Sequence, residues 1–227
     1  MIKETLGFLE QLQRNNNRPW FQERKEQYDV LRSQFEKDVF RLIQRIALFD
    51  PEIAGMEPKD CIYRIYRDVR FSPDKSPYKN YFSAYIALGG RKSERAGYYV
   101  HWQPDGCFLS GGVWCPPPRL LKMLRQAVFD HIEEFTEILD NPAFKQAFPD
   151  MQGEVLQRVP QPFTKETDFP RPDLLKRKDY VVIGSRPVSF FDCADWTEAA
   201  AADFEKMVPF NRFLNYTVDE YLGKTDD

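Results

Sequence analysis

Apolar side chains recur at helical spacing through the first fifty residues and at every second position from residue 62 onward. Residues 4–14 read as a helix, the run Asn15-Asn16-Asn17 ends it, and Pro19 suits the first turn of the next. Trp20, Phe21, Tyr28, Leu31, Phe35, Val39, Leu42, Ile43 and Ile46 then form one stripe, predicting a single long helix to about residue 48. Alternation over 62–71 and 82–88 predicts strands, and Pro104-Asp105-Gly106 lies between two further strand-like runs as a hairpin turn. Residues 62–113 are thus expected to form consecutive antiparallel strands.

The prolines at 116–118 open a helix marked by Leu120, Leu121, Leu124, Val128, Ile132 and Phe135. Prolines at 149, 160, 162, 170 and 172 predict a mostly irregular segment over 149–179, a wrap or a lid. Residues 180–184 and 188–191 read as late strands, Asp195 and Glu198 as the cap of an alanine-rich helix, and Phe210, Phe213, Leu214, Val218 and Tyr221 as one face of a last helix. This order predicts an α+β fold, an antiparallel-rich sheet flanked by helices. A single domain is expected over 1–227, with a helical part (1–50), a strand-rich core (60–115) and a helical, proline-rich remainder (116–227).

Composition narrows the function classes. The start of the chain lacks the pattern of a secretory signal and no apolar run is long enough for a bilayer, so a cytoplasmic protein without a membrane partner is expected. Cys61, Cys107, Cys115 and Cys193 form no C-x-x-C pair and read as reduced core thiols. His101 and His131 are isolated, so no metal centre is indicated, and no P-loop, dinucleotide or zincin motif points to a cofactor.

Charge is where the chain departs from the ordinary. Its formal net charge is -3, yet residues 62–95 carry eight cationic against three acidic side chains, a balance of +5 that leaves -8 elsewhere. On a strand over 62–71, Arg64, Tyr66, Asp68 and Arg70 share a polar face, while Arg67 falls on the apolar face, where a guanidinium needs partners. Arginines flanking an aspartate suit bidentate capture of phosphate or carboxylate, and they equally suit an ion-pair ladder that binds nothing. The turn-rich continuation adds Asp74, Lys75, Tyr78 and Lys79 beside a second basic loop. Ser72 and Lys75 also form S-x-x-K, without the partner motifs of serine acyl-enzymes.

Arg64, Arg67, Asp68, Arg70, Phe71, Asp74, Lys75 and Tyr78 match every specified position of R-x-x-R-D-x-R-F-x-x-[DN]-K-x-x-Y. The chain thereby resembles an uncharacterised family of bacterial proteins with fungal relatives. The stretch NNNRPWF at 15–21 and GGVW at 111–114, followed by prolines and a leucine-rich helix, resemble that family too, so the likeness spans essentially the whole chain. It implies membership and no chemistry, because the family is a domain of unknown function.

The expected ligand-binding set is therefore Arg64, Arg67, Asp68, Arg70, Asp74, Lys75, Tyr78 and Lys79, holding an anionic small molecule. Two alternatives remain open. Interleaved tyrosines and arginines would suit single-stranded nucleic acid, against which the sequence pI of about 5.6 weighs. A purely structural ion-pair motif in a protein-interaction domain is the other. The sequence assigns no reaction.

Overall fold

The computed structural model describes residues 2–165 and 168–223. In chain order come helices α1 (Ile2–Arg14), α2 (Arg18–Glu23), α3 (Lys25–Ile46) and α4 (Pro58–Cys61), then strands β1 (Phe82–Ile86), β2 (Gly97–Trp102) and β3 (Cys107–Val113). Helices α5 (Pro118–Asp130), α6 (Ile132–Asp140) and α7 (Pro142–Ala147) follow, then β4 (Asp150–Gln152), α8 (Pro172–Leu175) and β5 (Tyr180–Arg186). The chain closes on α9 (Val188–Phe191), α10 (Trp196–Lys206) and α11 (Val208–Tyr221). The fold is α+β, and its five antiparallel strands take the order β1-β2-β3-β5-β4.

The chain divides into two compact units, one of residues 1–92, 99–109 and 185–202, the other of residues 93–98, 110–184 and 203–227. In the first unit the apolar stripe of α3 is sealed: Phe35, Val39, Leu42, Ile43 and Ile46 expose nothing. Phe35 packs its ring against Trp102 (4.8 Å) and Phe82 (5.6 Å), and Trp102 meets Trp196 at 5.3 Å. Aromatic pairs of this kind add stability beyond their buried area.

The three asparagines have three separate tasks. Asn15 Nδ2 donates back to the Gln11 carbonyl, and Asn17 Oδ1 caps α2 by accepting from Trp20 N at 3.0 Å. Asn16 uses its amide as a strand would, donating to Tyr78 O (2.9 Å) and accepting from Tyr78 N (3.1 Å). The expected long helix is interrupted at Arg24, whose backbone leaves the helical region (φ -114°, ψ 17°). The break lets Phe21 stack on Tyr78 (4.1 Å between ring centres, 18° between planes) while Tyr28 meets Phe82 edge-on.

Residues 62–71 do not form the expected strand. Bridges form only at Ile62 with Ala84 and Tyr66 with Tyr78, although Tyr63 N reaches Ser83 O, and Lys79 N reaches Ile65 O. Asp68 ends the pairing by drawing the Arg70 amide to its own carboxylate, a local bond that competes with a ladder. Past that turn Phe71, expected on the buried face, is 94% exposed. Residues 188–191, expected as a strand, form the short helix α9, which opens after Pro187, whose carbonyl accepts the Phe190 amide at 2.9 Å. Phe191 is buried against Trp102 and Trp196, while Phe190 lies by the Arg186 guanidinium.

In the second unit the leucine-rich helix is likewise split at His131, giving α5 and α6. Phe135 packs against Tyr180, Phe210 and Phe213. The last helix also uses a polar stripe. Asn215 brackets Ala96 through both amide atoms, Asn211 Nδ2 donates to Gly97 O, and Asp219 pairs with the buried Arg95. Within 149–179, β4 pairs with Val181–Ile183, and the buried Asp179 carboxylate accepts the amides of Cys115 (2.7 Å) and Glu154 (3.0 Å). All four thiols are free, but only Cys61 and Cys107 are buried; Cys115 and Cys193 are exposed rather than core residues, since both lie in turns outside the packed elements.

Candidate functional site

Chain segments 62–67 and 77–84 run back along each other, so residues 68–76 form the tip between them. Four of the charged motif residues are engaged with one another there. Arg70 grips Asp68 through Nη2–Oδ2 (2.7 Å) and Nε–Oδ1 (3.0 Å). Arg67 donates to Asp74, to Ser76 O (3.2 Å) and to Ser72 Oγ (3.3 Å), which supplies the partners its half-buried guanidinium requires. Lys75 Nζ donates to Val69 O at 3.0 Å, and Tyr78 is buried beneath Phe21. Ser72 and Lys75 lie in non-helical backbone, so the S-x-x-K spacing does not bring hydroxyl and amine together on a helical turn.

Asp74 shows how the tip is stiffened. Hydrogen bonds from Ser76, followed by the Arg67 guanidinium, hold its carboxyl at about 2, below the ordinary 3.8. A depressed folded-state pKa contributes stability that is present above the unfolded value and is lost as pH falls through the folded one. Thermal unfolding should therefore find Asp74→Asn less stable than the parent protein at about pH 6, with the difference shrinking below about pH 4 and mostly lost by about pH 2. A difference that persists in acid would show that the carboxylate charge is not the stabilising feature.

Arg64 and Lys79 behave differently. Neither side chain makes a direct hydrogen bond or ion pair with any described residue, although Arg64 lies near enough to Asp68 to help lower its carboxyl pKa, after the Arg70 bonds, and near enough to Lys79 that, after burial, it depresses the Lys79 pKa. Lys79 is half-buried, its ammonium 5.1 Å from the centre of the Tyr63 ring and 5.5 Å from that of Tyr81. The aromatic faces replace part of its lost hydration without neutralising it. Burial raises the pKa of both phenols, so Tyr63 and Tyr81 keep their protons, and neither hydroxyl has a hydrogen-bond partner among the described residues. Two cationic side chains without a direct partner and two free O–H donors thus occur together among the described residues.

Beside them lies a hydrogen-bonded chain. Tyr99 Oη is 2.8 Å from His101 Nδ1, and His101 Nε2 is 2.9 Å from Gln103 Oε1. His101 is 7% exposed, stacked on Phe108 (4.5 Å, 14°) and against Tyr81 (4.6 Å), and burial lowers its pKa, which keeps the ring neutral. The sequence reading treats His101 as isolated and gives Tyr63, Tyr81 and Tyr99 no place in the expected ligand-binding set. The signal was present as alternation: Lys79, Tyr81 and Ser83 occupy every second position, and so do Tyr99, His101 and Gln103.

Of the eight predicted ligand-binding residues, Arg64 and Lys79 come together without a direct side-chain hydrogen bond or ion pair to any described residue, while Arg67, Asp68, Arg70, Asp74, Lys75 and Tyr78 are held by internal partners. A groove of about 850 Å³ in the second unit is lined by Glu134, Glu137 and Glu205 together with Lys206 and Arg212, a mixed set in which the acids outnumber the cations, and it includes none of the predicted residues. Among the described residues no group of three histidine, cysteine or acidic side chains is placed to hold a metal ion, and no helix is long and apolar enough to cross a membrane. Comparison with curated proteins and with solved structures gives no match. The model of one family does match, over residues 4–213, and the chain belongs to it: the conserved hypothetical protein family DUF2461.

Proposed function

We propose that this protein binds a small phosphate- or carboxylate-bearing molecule at Arg64 and Lys79, with the hydroxyls of Tyr63 and Tyr81 as additional donors. The observation that carries this is the pair of neighbouring cations whose side chains have no direct hydrogen-bond or ion-pair partner among the described residues, one of them half-buried; Asp68, the acid that Arg64 senses, is already gripped by Arg70. Like charges held together at low hydration oppose each other, and an anion between them relieves the opposition while gaining charge-assisted hydrogen bonds. The arginine supplies a planar fork and the lysine a point charge. The remaining motif residues serve the site indirectly, by bracing the tip that joins its two chain segments. Four free thiols, two of them exposed, accord with a reducing, cytoplasmic setting.

A thermal-shift panel of orthophosphate, pyrophosphate, sugar phosphates, dicarboxylates and short single-stranded oligonucleotides tests this. A small anion at about 100 times its dissociation constant adds roughly 2.7 kcal/mol, a rise on the order of 5 to 10 °C for a chain this size. A response to oligonucleotides alone, steeply weakened by salt, would move the function to nucleic-acid binding. No response to any anion would contradict the proposal.

A further inference from the structure

The site holds three phenols, and their protons are not equivalent. Gln103 Oε1 is an acceptor only, so the hydrogen between it and His101 belongs to Nε2. A neutral imidazole carries one such hydrogen, which leaves Nδ1 with a lone pair facing Tyr99. Tyr99 must therefore give its own hydrogen to His101 across the 2.8 Å contact. The ring of His101 cannot turn away, clamped as it is between Phe108 and Tyr81. Tyr99 is thus left with lone pairs alone.

This acceptor stands next to the cations. The Tyr99 ring meets Tyr63 edge-on, with 6.4 Å between ring centres, and Tyr63 carries the Lys79 ammonium on its face. Tyr63 and Tyr81 can donate to an anion, whereas Tyr99 can only receive. We infer that the ligand is a hydroxylated anion, its phosphate or carboxylate on Arg64 and Lys79 and a neighbouring hydroxyl donating to Tyr99. The inference rests on the anion site proposed above and specifies its substrate class; His101 acts here as a positioning residue, through Tyr99.

Calorimetric titration with glycerol 3-phosphate and propyl phosphate separates the two ideas, because these probes share a charge and differ in hydroxyls. Glycerol 3-phosphate should bind the parent protein about 5- to 10-fold more tightly, the worth of one hydrogen bond. Tyr99→Phe should erase that preference and leave propyl phosphate binding unchanged. Equal binding of both probes by the parent protein, or a preference that survives Tyr99→Phe, overturns the inference while anion binding stands. Failure of both probes refutes anion binding and the inference with it. Nitrogen NMR of the unmodified protein supplies a check independent of any variant: it should find the His101 hydrogen on Nε2, and a hydrogen on Nδ1 would overturn the assignment.

Discussion

Gly112→Ala should lower stability by about 4 kcal/mol and Tm by roughly 8 to 16 °C, among the largest losses open to a single methyl group in this chain. Gly112 has φ +107°, a conformation an alanine adopts only under strain, and the added Cβ would collide with the Tyr180 carbonyl oxygen and press on the Phe210 ring at 3.0 Å. The obstacle is backbone on a neighbouring strand, which cannot move aside as a flexible side chain can. Differential scanning calorimetry on the variant measures the loss. A variant within about 1 kcal/mol of the parent protein would mean that β3 and β5 are not packed this closely at Gly112.

That glycine stands in the GGVW stretch, whose resemblance value was visible in the sequence and whose physical reason was not. The same division runs through the fold. The hairpin around Pro104-Asp105-Gly106 was legible because turn chemistry and alternation agree locally, and β2 and β3 lie on either side of it. The stripe of α3 was legible because a buried helix face repeats its period in the residues themselves. Interruptions at Arg24 and His131 were not, since neither residue breaks a helix by type; tertiary contacts, such as Phe21 on Tyr78, fix the break. Nor could the sequence reveal that Asn211, Asn215 and Asp219 form a polar grip on residues 95–97, because their partners are distant in the chain.

Lys79→Met should weaken phosphate binding about 10- to 150-fold, the loss of one or two charge-assisted contacts worth about 1.5 to 3 kcal/mol. Methionine keeps the apolar stem between Tyr63 and Tyr81 and removes only the ammonium, so Tm should stay close to that of the parent protein. A pH signature accompanies the loss. Burial and Arg64 lower the Lys79 pKa in the free protein, and an anion favours the protonated amine. Affinity of the parent protein should therefore fall as pH rises through that lowered pKa, and the fall should be absent in Lys79→Met. Titration of both proteins across the alkaline range checks it; an unchanged pH profile in the variant would remove Lys79 from the site.

The candidate site was legible as a cluster of positive charge and illegible as an arrangement. Residue types could not distinguish Arg64 from Arg70, since both stand on the same side of the expected strand. The distinction arises because Asp68 turns the chain and claims Arg70 for itself, leaving Arg64 beside Lys79. The most direct measurement follows from that difference: calorimetric titration of pyrophosphate into the parent protein, Arg64→Ala and Arg70→Ala in parallel. The account predicts that Arg70→Ala binds as the parent does and that Arg64→Ala loses at least about tenfold in affinity. Retained binding in Arg64→Ala with loss in Arg70→Ala would contradict it, and place the anion at the tip between 68 and 76 instead.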